Sequence, residues 1–161
     1  MIPIAGRQAH CRPRIMVLDE DDSLAANRIV AIVDDDEAVR LATASLVRSL
    51  GHEVRGFASA EDFLRPGSDE GVDCLVTDVH MPGIDGTDLQ RRLIERGRTY
   101  PIVFVSGFLD EAIRDSVMAA GAFCYLGKPF QGDTLVTCLE RALAAAVKVG
   151  PAGPAGPVGT A

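Results

Sequence analysis

The chain has 161 residues, 47% of them hydrophobic, and a net charge of −7 from 16 Lys and Arg against 23 Asp and Glu. That length supports one domain with a real core plus loose ends. The negative balance argues against a broad nucleic-acid surface and points to cations or basic patches as counterparts.

The head, Met1 to about Asn27, mixes Arg7, Arg12 and Arg14 with the acidic run DEDD at Asp19 to Asp22 and is read as a partly flexible extension. Its first ten residues hold no long apolar run, which argues against a signal peptide, and no stretch approaches the ~20 apolar residues of a membrane span. The cytoplasm is therefore the expected location.

From Arg28 the pattern alternates. RIVAIV (28–33) is a β-branched strand. DEAVRLATASLVRSLG follows as a helix with Val39, Ala42, Leu46, Val47 and Leu50 at helical spacing and Gly51 as its stop. HEVRGF (52–57) alternates like a half-buried strand. SAEDFL (59–64) opens on a capping-box-like Ser-x-x-Asp and ends before Pro66. DCLVTD (73–78) reads as a buried strand, and DGTDLQRRLIERG (85–97) as a helix with Leu89, Leu93 and Ile94 inward. PIVFVSG (101–107) is the most hydrophobic strand. DEAIRDSVMAAG (110–121) is a helix, AFCYLG (122–127) a strand and GDTLVTCLERALAAAVKV (132–149) a long amphipathic helix.

Strands that alternate with helices of this length predict an α/β domain over 28–149, a five-stranded parallel sheet with helices on both faces. The tail from Gly150 to Ala161, built of Gly, Pro, Ala, Val and Thr, is read as disordered. Cys11, Cys74, Cys124 and Cys138 form no C-x-x-C pair. They are expected as reduced, mostly buried thiols rather than a disulfide frame or zinc site.

Ligands of such sheets bind at the carboxyl ends of the strands. There the chain places VDDD (Asp34, Asp35, Asp36), Asp78, Ser106 with Gly107, and Lys128 with Pro129 and Phe130. Each alone has an ordinary explanation, and Asp36 reads best as a helix cap. Together they suit one chemistry. Crowded carboxylates repel and call for a hard cation; oxygen donors select Mg²⁺. A carboxylate can itself be the nucleophile, giving an aspartyl phosphate. Positioning and charge neutralisation, from the cation and one Lys, supply most of phosphoryl-transfer catalysis.

The motifs VDDDEAVR, LVTDVHMPGIDG, VFVSG and AGAFCYLGKPF, with the intervals between them, resemble the receiver domain of two-component response regulators from about Arg28 to Val147. The wording is most similar to receivers joined to LuxR-type DNA-binding domains. The resemblance implies a flavodoxin-like doubly wound fold. It implies that Asp78 accepts a phosphoryl group from a histidine kinase or phosphotransfer protein. Asp35, Asp78 and the backbone carbonyl of His80 would bind Mg²⁺, with Asp34 acting mainly through metal-bound water. Lys128 would pair with the phosphoryl oxygens, Ser106 would swing toward the phosphate and Tyr125 would rotate inward behind it. A cis Lys128–Pro129 bond is implied too. The switched face would be the fourth helix, fifth strand and fifth helix, through which a homodimer is one expected assembly.

RIMVLDEDDSLA (14–25) echoes RIVAIVDDDEAV, but the spacing from Asp35 to Asp78 favours the second copy as the first strand. His80 is expected with its imidazole toward solvent over the site, and Phe108 either screening the phosphate or packing in its loop. No helix-turn-helix follows the last helix in this sequence, so it is expected not to bind DNA directly, and to act through an unidentified protein target. Two alternatives stand beside the switch. A haloacid-dehalogenase-like phosphatase needs an Asp where His80 stands. A receiver-like binding module that has lost phosphorylation would have little reason to keep such mutually repelling carboxylates.

Overall fold

In the computed structural model, which describes residues 27–148, the β-branched runs pair edge to edge as parallel strands. The elements are β1 (Ile29–Val33), α1 (Glu37–Ser49), β2 (Glu53–Phe57), α2 (Ala60–Phe63), β3 (Cys74–Asp78), α3 (Gly86–Glu95), β4 (Ile102–Ser106), α4 (Glu111–Ala119), β5 (Cys124–Gly127) and α5 (Gly132–Lys148). The sheet order is β2-β1-β3-β4-β5, and every pairing is parallel. The head, its echo motif and the Gly-Pro tail lie outside the described residues.

Alternation along each strand splits the core in two. Ala31, Val33, Leu75 and Phe104 face one side, where Phe63 of α2, Leu89 and Leu93 of α3 and Val117 of α4 cover them. Val30, Ile32, Val76 and Val103 face the other, under Val47 of α1 and Leu135 and Leu139 of α5. Both faces of the central strands are dry, which is why they read as unbroken apolar runs rather than as alternating ones. The edge strand β2 has no fully buried residue.

The helix starts follow the side chains that cap them. Asp36 accepts from the amides of Ala38 and Val39, Ser59 from Asp62, Asp85 from Asp88, and Asp110 from Ala112 and Ile113. Each such cap is worth about 1 kcal/mol.

Two sequence expectations need correction, the burial of Ile94 and the state of two cysteines. Ile94 is 49% exposed, and the buried α3 residue beside Leu93 is Gln90, whose amide donates to the carbonyl of Val117 at 3.0 Å. Of the helically spaced apolar residues of α1, Val47 is buried together with Thr43 and Ala44, Val39, Leu46 and Leu50 are half-buried, and Ala42 is exposed. A helix lying on a twisted sheet presents a narrower stripe than its full apolar set. Cys124 and Cys138 are not separate thiols but a disulfide between β5 and α5; Cys74 alone is a buried free thiol among the described residues. Spacing along the chain did not show this pair, because packing α5 on the sheet is what brings the two together. No helix of the described residues is long and apolar enough to cross a membrane.

Candidate functional site

The strand order reverses between β1 and β3, and there the sheet brings its acidic residues together. Val33 is registered with Thr77, so the next residues, Asp34 and Asp78, emerge side by side. Both are buried. Asp35 follows at the exposed rim, and the three carboxylates each offer an oxygen within 4.8 Å of the others. On the far side Ser106 is registered with Gly127, which sets Lys128 one residue beyond the end of β5. The Lys128 amide donates to the Ser106 carbonyl at 2.6 Å. Its ammonium lies 3.1 Å from Asp34 Oδ2 and 3.4 Å from Asp78 Oδ2. The Lys128–Pro129 bond is cis.

Burial lifts the Asp78 carboxyl above the usual range; the Lys128 charge works against this, and the Asp34 charge adds to it. Burial by itself would lower the Lys128 ammonium, but its bonds to Asp34 and Asp78 outweigh that and hold it above its ordinary value. One cation thus stands among three carboxylates, which leaves the cluster short of positive charge. The donor set is all oxygen and one member faces solvent, so the residues fit a hard divalent cation such as Mg²⁺. The fit rests on the carboxylates; the His80 carbonyl is placed only by the loop that follows Asp78, where the His80 amide donates to Asp78 Oδ1 at 3.3 Å.

Ser106 and Tyr125 do not join this cluster. The Ser106 hydroxyl, fully buried, donates to the Phe108 carbonyl at 2.9 Å and accepts from the Phe108 amide at 3.2 Å. The Tyr125 hydroxyl donates to the same carbonyl at 3.2 Å. His80 is exposed, as expected, and its ring meets the edge of Phe108 at 5.6 Å. Phe108 is not packed into its loop: it is 72% exposed.

Three supporting residues were not legible in the sequence. Arg40 donates to the Asp34 carbonyl at 2.7 Å, while its stem lies over Gly56. Glu61, at the start of α2, accepts from the Ile84 amide at 3.1 Å and ties down the loop after Asp78. Gly86 presses its backbone on the Asp78 carbonyl, where a Cβ would stand 2.3 Å from the oxygen. The second Gly of PGIDG was the only signal for any of them. A groove lined by Val39, Ala42, Leu46, Phe130 and Leu135 opens beside Lys128, between α1 and α5.

Comparison with known proteins shows the family and the fold. The response regulator receiver domain family matches residues 30–140. The response regulator protein TmoT of Ectopseudomonas mendocina is 42% identical over 118 residues, 73% of this chain and 54% of that protein. Among solved structures, the response regulator StyR superposes with a TM-score of 0.71 at 37% identity, covering 76% of this chain and 62% of that one. FixJ-N superposes with a TM-score of 0.67 at 34% identity, covering 73% and 94%. The chain spans about half the length of the curated relatives it matches. The family match takes in the acidic crevice, the lysine and most of the sheet, and the chain belongs to the receiver-domain family of two-component response regulators.

Proposed function

We propose that Asp78 is the phospho-acceptor of this receiver and that its phosphorylation switches a protein-binding face. The observation that carries this is the placement of Lys128 between Asp34 and Asp78 in a crevice otherwise short of positive charge. Asp78 supplies the nucleophilic oxygen. It attacks the phosphorus of a phosphohistidine, the P–N bond breaks, and the imidazole leaves with the bond pair and takes up a proton. Lys128 turns from Asp78 to the incoming phosphoryl oxygens. Asp35 and Asp78, with the His80 carbonyl, would hold Mg²⁺ directly, and Asp34 would act through its water. The ion supplies charge neutralisation for the phosphoryl oxygens.

Phosphorylation adds about −1.5 to −2 charges and three acceptor oxygens at one point. Ser106 is the nearby hydroxyl that answers it, and Tyr125 follows, so the switched face is α4, β5 and α5. Donor docking falls on the groove between α1 and α5, whose wall is continuous with Lys128. The partners are thus a histidine kinase or phosphotransfer protein on one side and a downstream protein on the other. Sedimentation with and without phosphate tests whether a second copy is that protein.

The deciding experiment is intact mass after incubation with acetyl phosphate and Mg²⁺. Wild type is expected to gain one phosphoryl group and Asp78→Ala none. Equal labelling of both proteins would overturn the assignment of Asp78. If neither gains mass while Mg²⁺ still binds, the receiver-like module without phosphorylation becomes the better reading.

A further inference from the structure

Cys124 and Cys138 are paired outside the acidic crevice. Cys124 opens β5 and is half-buried; Cys138 lies two turns into α5 at 9% exposure. Their Cα atoms are 6.7 Å apart, within the range a disulfide spans without moving the backbone. The bond closes a loop with a sequence separation of 14. Inside that loop lie Tyr125, Lys128, the bend at Pro129 and the start of α5. The third thiol, Cys74, is a contrast: burial pushes it up to about 12, and it has no sulfur partner.

We propose that Cys124 and Cys138 are a reversible oxidation site, and that a low-molecular-weight disulfide such as oxidised glutathione closes it to clamp the segment carrying Tyr125 and Lys128. The Cys124 thiolate attacks one sulfur of the small disulfide and expels a thiolate, leaving a mixed disulfide. The Cys138 thiolate then attacks the Cys124 sulfur and expels the second thiolate. Two protein thiols are oxidised, one small disulfide is reduced to two thiols, and the two protons pass from the cysteines to the leaving thiolates. Reduction by a dithiol runs the steps backward. Oxidation of Cys124 and Cys138 does not depend on phosphoryl acceptance; only its consequence for signalling rests on the function proposed above.

The test uses the full chain carrying Cys11→Ser, with Cys74 as the internal unreactive thiol. After oxidised glutathione and removal of excess, peptide mapping is expected to show Cys124 joined to Cys138, lighter by two hydrogen atoms, and released by a dithiol. In Cys138→Ser the mixed disulfide at Cys124 is expected to persist, because nothing resolves it. Amide hydrogen exchange between residues 125 and 137 is expected to slow roughly threefold or more in the oxidised protein relative to the reduced one. Free thiols at both positions after oxidant, a stable glutathione adduct in the protein that retains Cys138, or unchanged exchange on cross-linking would each overturn the proposal.

Discussion

Ser106 and Tyr125 donate to one and the same acceptor, the carbonyl oxygen of Phe108, at 2.9 and 3.2 Å. Two hydroxyls from neighbouring strands are thus joined through the backbone of the β4–α4 loop. A Ser106 that turns to a phosphoryl group on Asp78 must leave that carbonyl and also release the Phe108 amide. The loop loses two of its local bonds at once, and Tyr125 loses the neighbour that fixed its anchor. Ser106→Ala is therefore expected to keep phosphoryl acceptance at Asp78, measured by mass. It should abolish the change in hydrogen exchange over residues 107–110 that follows labelling of wild type.

A pH dependence follows from the raised carboxyl of Asp78. The native state holds this proton more tightly than the unfolded chain does. The group's contribution to stability therefore falls as pH rises from the ordinary value of 3.8 through the raised native value, and the full penalty persists at neutral pH. Asp78→Asn removes that penalty and leaves Lys128 bound to Asp34. In metal-free buffer at neutral pH the variant is expected to melt a few degrees above wild type, with the gap closing below the ordinary carboxylate range. A variant that melts lower at neutral pH would contradict this origin of the shift.

The loop that follows the acceptor is held from outside by Gly86 and Glu61. Gly86→Ala places a methyl 2.3 Å from the Asp78 carbonyl, a clash with backbone that cannot turn aside. It is expected to cost about 3 kcal/mol in denaturant unfolding. Glu61→Ala removes only the bond to the Ile84 amide, an expected loss of about 1 kcal/mol, whereas Glu61→Gln keeps an acceptor oxygen and restores most of it.

Phe108 and His80, two residues beyond Ser106 and Asp78, meet edge to face, and both are exposed. An aromatic pair at this place would slow the approach of water to a phosphoryl group carried on Asp78. Phe108→Ala is expected to shorten the lifetime of the phosphorylated form several-fold, followed by intact mass after removal of the donor. Equal decay of the two proteins would leave Phe108 without that role.

Leu46 lines the groove beside Lys128, where a Cβ added at Gly132 would come within 3.9 Å of it. Leu46→Asp puts a charge where a protein donor would sit. Transfer from a phosphohistidine protein is expected to slow about tenfold, a loss of about 1.4 kcal/mol, with labelling by acetyl phosphate unchanged. An equal loss with both donors would point to damage at the site instead of at the groove.

Much of this was legible from the residues in order. Alternating strands and helices, the capping Asp and Ser residues and the carboxylates at strand ends are local patterns, and local patterns survive in a one-dimensional text. They determined the fold class, the positions of the elements to within a residue or two, and the set Asp34, Asp35, Asp78 and Lys128. Tertiary packing alone decided the rest. Which face of α1 and α3 is buried depends on how each helix lies on a twisted sheet, so Ile94 came out and Gln90 went in. Glu61 meets Ile84 across 23 positions of chain, and Cys124 meets Cys138 only where α5 lands on β5. Ser106 and Tyr125 find their shared carbonyl through the register of β4 on β5 and the turn of one loop. Such contacts join residues with no common period or motif, and only the folded chain brings them within reach.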